Sequence, residues 1–112
     1  QCLIPQIEFL GDVSAADVIP DMTAATTDGV TVTQSSIHSA PYEGWNAFDD
    51  TFDFGNTGWN SAVVAPPHWI KADAGAGNTF PVSTYVKIYG YDIATLYNPT
   101  AGGYQGSQND SD

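Results

Sequence analysis

The chain has no arginine and only two lysines, against 13 aspartates and glutamates, so its formal net charge is −11 at pH 7. Nucleic-acid binding needs Lys and Arg to replace the counterions of phosphates, and attraction to an anionic lipid surface needs the same residues. We therefore expect neither nucleic acid nor anionic lipid as a partner. A calcium ion or a neutral sugar is not repelled, and the acidity is equally consistent with simple solubility in a salty medium.

Cysteine and long apolar runs are also scarce. Cys2 is the single cysteine, which excludes an internal disulfide, and we expect a buried small hydrophobe rather than a link to another chain. No apolar run reaches the roughly 18 residues of a membrane span, so membrane insertion is not expected. No signal peptide is visible and the first residue is Gln rather than Met, so we expect a fragment, a processed product or part of a longer protein.

Motifs of catalysis are missing as well. The sequence has no Gly-x-Ser-x-Gly elbow and no Gly-rich phosphate loop. His38 and His68 have no Cys or His at zinc-ligand spacing. Asp49 and Asp53 are the best available carboxylate pair, but nothing distinguishes them from turn residues. Because no nucleophile–base pair or catalytic metal set can be assembled, we predict that the chain is not an enzyme.

What the sequence does contain is typical of strands joined by turns. Ser, Thr, Asn and Gly fill the spaces between short apolar runs, which favours an all-β domain without helices longer than about two turns. Alternating apolar and polar residues predict a strand over 30–35, and further strands are predicted over 68–73 and 82–91. Turns are predicted at 28–29 and 74–78.

The N-terminal apolar segment over 3–10 contains Pro5, which cannot donate to a ladder, so we predict an edge strand or an extended arm. We accordingly divide the chain into an arm or linker over 1–21 and a domain over 22–112. Residues 36–68 are predicted to be mostly loop. The residues predicted to form the core are Trp59, Trp69, Val86 and Ile88.

Two groups of loop residues carry candidate chemistry. The stretch 46–59 holds three aspartates and two threonines, and calcium takes six to eight such oxygen ligands; the alternative is that these side chains cap turns and face water. Tyr42, Trp45 and Tyr97 lie in predicted loops. Their rings either stack on sugars, anchor a protein interface or plug the core.

The order of several motifs resembles the discoidin family, the coagulation-factor type C domains. The matching segments are 46–49 (NAFD), 57–61 (TGWNS) and 68–75 (HWIKADAG), which are similar to the family's Ala-Phe-Asp-Gly, Thr-x-Trp-x-Ser and Trp-Ile-x-x-Asp-Leu-Gly elements. The segments 82–91 and 104–110 look like the two family strands that follow. The chain departs from the pattern at Asp50, which replaces Gly, and at Ala74, which replaces Leu, and it lacks the family's last strands.

The resemblance implies an antiparallel β-sandwich of the galactose-binding-like jelly-roll type, incomplete at the C-terminus, whose loops at one end hold the partner. It also implies a structural calcium beside the Ala-Phe-Asp-Gly element. Carried over to this chain, the metal ligands are the Asp49 carboxylate, the Thr57 hydroxyl and loop groups of Phe48, Asp53 and Asn56.

Two functions follow as expectations. The first is a non-catalytic carbohydrate-binding module that attaches a larger extracellular or virion protein to a cell-surface glycan, with Tyr42, Trp45 and Tyr97 as ligand contacts. The second is a structural virion or assembly protein, such as a phage-tail component, that uses the same fold for contacts between neighbouring subunits in a virion or filament. Either function places the protein outside cells or on a virion.

Overall fold

The computed structural model describes residues 2–11, 17–51, 58–81, 85–89 and 103. Within these residues the chain forms strands, turns and one short 3-10 helix, with no α-helix. The strands are β1 (Leu3–Ile4), β2 (Gln6–Leu10), β3 (Thr26–Thr27), β4 (Val30–Gln34), β5 (Trp59–Asn60), β6 (Ile70–Asp73) and β7 (Tyr85–Tyr89), and the 3-10 helix spans Gly44–Phe48. The prediction of a mostly β structure is confirmed.

The described strands form three small antiparallel sheets. β1 pairs with β5, β2 pairs with β7, and β4 lies between β3 and β6. In the three-stranded sheet Thr31 is opposite Asp73 and Gln34 is opposite Ile70. The predicted strands over 30–35, 68–73 and 82–91 are thus confirmed within their described residues, and β4 and β6 are each shorter than predicted.

The N-terminal segment is not a free arm. Pro5 ends the pairing of β1, but the chain resumes at Gln6 and pairs with a different strand, β7. A proline blocks one ladder donor only, so it can separate two strands without expelling either from the fold. Leu3, Ile4 and Ile7 are buried, so this stretch of the predicted arm over 1–21 is part of the folded body.

The core surrounds Trp59, whose side chain is 1% exposed. Its indole Nε1 donates to the Ser36 carbonyl oxygen over 2.9 Å, which satisfies the one polar atom that burial would otherwise strand. The prediction for Trp59 is confirmed. The other buried members of this cluster are Cys2, Ile4, Ile7, Ile19, Met22, Val30, Val32, Ala47 and Phe48.

Cys2 is buried within this cluster, as expected for a small hydrophobe. Burial raises the pKa of its thiol above the ordinary value, because the thiolate is poorly solvated there. The thiol therefore stays protonated at neutral pH and contributes packing rather than reactivity.

Two predicted core residues lie on the surface instead. Trp69 is 49% exposed because Ile70 and Ala72 are the residues of this segment that pack on the core, and alternation turns Trp69 the other way. Ile88 is 53% exposed, since among the described residues β7 pairs with β2 alone and nothing covers that position. Val86 is partly buried and packs against the core.

Both predicted turns are present. Asp28 and Gly29 have φ angles of 52° and 80°, and they join β3 to β4 as a two-residue turn with both residues left-handed. The second turn follows β6, where the Asn78 amide donates to the Gly75 carbonyl oxygen over 3.0 Å. Asp–Gly and Gly-rich segments suit such turns because they tolerate positive φ.

Gly58 lets β5 approach β1, and replacing it should be costly. Its φ is +94°, and a Cβ at this position would lie 2.5 Å from the Ile4 carbonyl oxygen and 2.6 Å from the Pro5 Cα. We expect Gly58→Ala to lower the free energy of unfolding by about 2–5 kcal/mol, measured by chemical denaturation. Gly77→Ala is the matched control, because φ is +77° but nothing lies within 4 Å of its Cβ. Its cost should be only about 1–2 kcal/mol, and equal costs for the two variants would contradict the close approach.

Candidate functional site

The loop that follows β4 is fixed to the body by side chain–backbone hydrogen bonds. The Gln34 Oε1 accepts from the Gly44 amide over 3.0 Å. The buried Asn46 donates from Nδ2 to the carbonyl oxygens of Pro41 and Glu43, over 2.7 and 3.0 Å. These bonds hold the backbone that carries two of the predicted ligand contacts, Tyr42 and Trp45.

The start of the same loop is held against the strand that carries Trp59. The Ser36 carbonyl accepts from the Trp59 indole, and the Ser36 Oγ accepts from the Ala62 amide over 3.1 Å. The His38 amide donates to the Asn60 carbonyl over 2.7 Å, and the Asn60 amide donates to the Tyr42 carbonyl over 3.3 Å. The loop is therefore positioned by the core rather than by its own residues alone.

Two of the three predicted ligand contacts, Tyr42 and Trp45, lie within the described residues. Tyr42 is half-buried, and its ring lies edge-on to His38 with centroids 6.1 Å apart. Trp45 is half-buried and packs against the core, while its Nε1 donates to the Glu43 Oε2 over 2.9 Å. Since its apolar surface and its N–H are both engaged, Trp45 mainly holds the loop. Tyr97 lies outside the described residues.

Trp69 is the exposed aromatic residue that the sequence prediction placed in the core. Its backbone is locked, because its amide donates to the Ser35 Oγ over 3.0 Å and its carbonyl accepts from the Ser35 amide over 2.8 Å. No hydrogen bond engages its indole N–H within the described part of the chain. In the sequence, apolar Ile70 and Ala72 alternate with polar Lys71 and Asp73. This alternation places Trp69 on the polar face of the strand, and it is the signal that could have identified Trp69 as exposed.

An apolar loop leads into Trp69. Val63 and Val64 are 74% and 55% exposed, and prolines occupy 66–67. No Asp, Glu, Lys or Arg lies between Asp53 and Lys71 in the sequence. We refer to residues 62–69, which include these valines, prolines and Trp69, as the 62–69 loop. It is an uncharged surface on an otherwise strongly acidic chain.

The predicted calcium ligands are partly described. The Asp49 Oδ1 accepts from the amide and the Oγ1 of Thr51, over 3.0 and 2.7 Å, and so caps the turn after the 3-10 helix. The Phe48 carbonyl accepts from the Met22 amide over 2.9 Å. A carboxylate has about four lone-pair sites, so this cap does not exhaust Asp49 as a ligand.

Thr57, Asp53 and Asn56 lie outside the described residues. In the part of the chain that the structure describes, no three or more His, Cys, Asp or Glu side chains gather in an arrangement that could hold a metal ion. Calcium binding at this loop therefore stays a prediction.

Asp17 is the described carboxylate whose ionisation the fold perturbs. Burial raises its pKa above the ordinary value, and this effect outweighs the lowering by the Phe9 and Ile19 amides, which donate to its Oδ1 over 2.9 and 3.1 Å. The negative charges of Glu8 and Asp21 raise the pKa further. Both hydrogen bonds tie together backbone segments, so the perturbation belongs to the fold and not to a reaction centre.

Comparison of the chain with protein-family models, with curated proteins and with solved structures finds no match. Among the helical residues that the structure describes, no helix is long and apolar enough to cross a membrane.

The perturbed Asp17 predicts a pH dependence of stability. Because its folded pKa is raised, the folded state binds the proton more tightly than the unfolded state, so the Asp17 contribution to stability rises as the pH falls through the folded pKa. Asp17→Asn keeps an acceptor for both amides and removes the buried charge. We expect this variant to be more stable than the wild type at pH 7, and its advantage to shrink toward about pH 4, near the ordinary carboxyl pKa.

Urea denaturation of both proteins across this pH range measures the difference. Asp17→Ala is the control for the hydrogen bonds, and it should cost about 1–2 kcal/mol at pH 7 because two amides lose their acceptor. A difference between wild type and Asp17→Asn that does not change with pH would contradict the raised pKa.

Proposed function

We propose that this chain is a non-catalytic binding module for neutral cell-surface glycans, with Trp69 as its principal contact. The observation that supports this function best is the half-exposed indole of Trp69 on a backbone locked to Ser35. A flat apolar ring carried on a backbone that is held in place can stack on the C–H face of a sugar. This arrangement suits binding and supplies no group that would break a bond.

Tyr42 is the second proposed contact. Trp69 bonds to Ser35 and the Tyr42 ring lies against His38, so both aromatics flank the segment 35–38. Three residues span at most about 11 Å even when fully extended, which places the two residues beside one short stretch of backbone. Trp45 supports the loop instead of contacting ligand, and Tyr97 remains a predicted contact.

Charge limits the glycan class. With 13 acidic residues, two lysines and no arginine, the chain repels sialylated or sulfated sugars and accepts neutral ones. The absence of Asp, Glu, Lys and Arg between Asp53 and Lys71 leaves stacking on Trp69 and hydrogen bonds from sugar hydroxyls to the backbone as the main interactions available at the 62–69 loop.

The fold and setting are part of the same proposal. The motif order over 46–75 and the antiparallel pairing of the described strands support a galactose-binding-like jelly roll of the discoidin type. A structural calcium at the Asp49 loop and a location outside cells or on a virion belong to this proposal. Such a module would attach a larger protein to a surface through many copies, since avidity multiplies weak single-site contacts.

A structural role in subunit contacts is the second candidate. The exposed aliphatic side chains of Val63 and Val64 favour it, because a sugar gains little from them whereas a protein interface would bury them. In that case the 62–69 loop packs against a neighbouring subunit of a virion or filament.

Multivalent display of the protein on a glycan array tests the binding function. We expect the wild type to bind one or more neutral glycans, and Trp69→Ala to weaken binding about tenfold or more, as for a central interface residue. Trp69→Phe should retain part of the affinity, because a smaller flat ring remains. Ile88→Ala is the matched control, since it truncates an equally exposed apolar side chain on a different sheet and should leave binding unchanged.

The same proteins separate the two candidates. Binding that falls equally in Trp69→Ala and Ile88→Ala would contradict the proposed contact. If the wild type binds no glycan on the array, the structural role is favoured. In that case the protein should self-associate in sedimentation experiments, and Val63→Ser should abolish this self-association.

A further inference from the structure

A depression of about 440 Å³ lies at the other end of the three-stranded sheet from Trp69. β4 and β6 are antiparallel, with Gln34 opposite Ile70 beside Trp69, and Thr31 opposite Asp73 at the far end. The turn at 28–29 leads into β4 and the loop 74–81 follows β6, so both lie at that far end. Residues of these two segments form the depression, together with residues that follow Asp17.

We refer to the apolar residues that line the depression as its floor. It includes Val30, which is buried, and Val18 and Phe80, which are partly buried and pack against the core. Pro20 and Pro81 extend this surface with rings that have little conformational freedom. The floor therefore offers an apolar contact that the core partly supports.

The rim is polar, and its backbone is held in place. It carries Asp28, Asn78 and Thr79, all exposed. The two turns that bear them abut each other, since a Cβ at Gly75 would lie 3.2 Å from the Gly29 carbonyl oxygen.

Two further bonds fix the second turn. The Gly75 amide donates to the Asp73 Oδ1 over 2.8 Å, and the Asn78 amide donates to the Gly75 carbonyl over 3.0 Å. Within the described part of the chain, no hydrogen bond engages the side chains of Asp28, Asn78 or Thr79. Their polar atoms are thus available to a ligand.

This set of groups matches one class of ligand. A carboxylate accepts from ligand hydroxyls, an amide both donates and accepts, and a hydroxyl does either, while the floor receives a C–H surface. An anionic ligand would meet Asp28 and the overall charge of −11. A wholly apolar ligand would desolvate the rim without giving it hydrogen bonds. The volume falls within the roughly 300–1,000 Å³ of small-molecule sites.

We propose that this depression is a second saccharide site, for a neutral monosaccharide or disaccharide unit, separate from the surface around Trp69. It shares the ligand class of the proposed function but none of its residues, so either site can fail alone. Two sites at opposite ends of one sheet would let a single domain hold two glycan chains at once.

Two-dimensional NMR of the whole 112-residue chain tests this site, with neutral saccharides as probes: galactose, glucose, N-acetylglucosamine and lactose. We expect at least one probe to shift the backbone amide signals of Gly29, Asn78 and Thr79. Asp28→Asn and Thr79→Val should each weaken that binding about tenfold, because the first replaces a charged acceptor oxygen with an amide donor and the second removes a hydroxyl group. Asn tolerates the positive φ of position 28 and Val matches the shape of Thr, so both variants keep the fold.

Two controls make the result specific. Thr33→Val changes an exposed threonine in β4 outside the depression and should leave the shifts unaltered. Trp69→Ala should also leave them unaltered, even where it removes glycan binding at the 62–69 loop. The proposal is overturned if no probe shifts the three amides, or if the shifts persist at unchanged affinity in the Asp28→Asn, Thr79→Val double variant.

Discussion

Burial of Trp59 is the interaction on which the described structure depends. Its strand pairs with β1, its side chain fills the core, and its indole N–H reaches across to the Ser36 carbonyl. Truncating a buried tryptophan typically costs about 3–5 kcal/mol, which is a large part of the stability of a small domain. Because the same residue closes the core and holds the start of the loop after β4, packing in the interior determines where the surface aromatics lie.

The scarcity of lysine and arginine determines how the acidic side chains are satisfied. With 13 carboxylates and two lysines, most acidic side chains cannot form ion pairs, and several of those that the structure describes accept hydrogen bonds from neutral donors instead. Such bonds cap turns and tie loops to strands, and they leave the net charge unneutralised. The described examples are Asp17 with Phe9 and Ile19, Asp49 with Thr51, Asp73 with Gly75, Glu43 with Trp45 and Glu8 with Tyr89. The hydrogen bond to Glu8 raises the pKa of the Tyr89 hydroxyl above its ordinary value.

Local patterns predicted the local structure. Alternation over 30–35 and the Asp28-Gly29 dipeptide were sufficient for β4 and its turn, because both depend on neighbours along the chain. Which apolar side chains are buried could not be predicted in the same way, because burial depends on packing partners that are far apart in sequence. Trp69 and Ile88 are apolar and lie in or beside strands, yet the core reaches neither, and the N-terminal segment joins the core although Pro5 interrupts it. Of the predicted site residues, Tyr42 is half-buried with its ring edge-on to His38, whereas Trp45 packs against the core.

Two tryptophans that lie only ten positions apart differ in burial: Trp59 is 1% exposed and holds the fold, whereas Trp69 is 49% exposed and is the contact that we propose for ligand. Hydrogen exchange of the indole N–H groups, followed by NMR, tests this division most directly. The Trp59 Nε1–H, bonded to Ser36 within the core, should exchange only when the domain unfolds, and the Trp69 indole should exchange nearly as fast as in a free peptide. Equal protection of the two indoles would contradict the account, because it would place Trp69 in the core and remove the proposed binding surface.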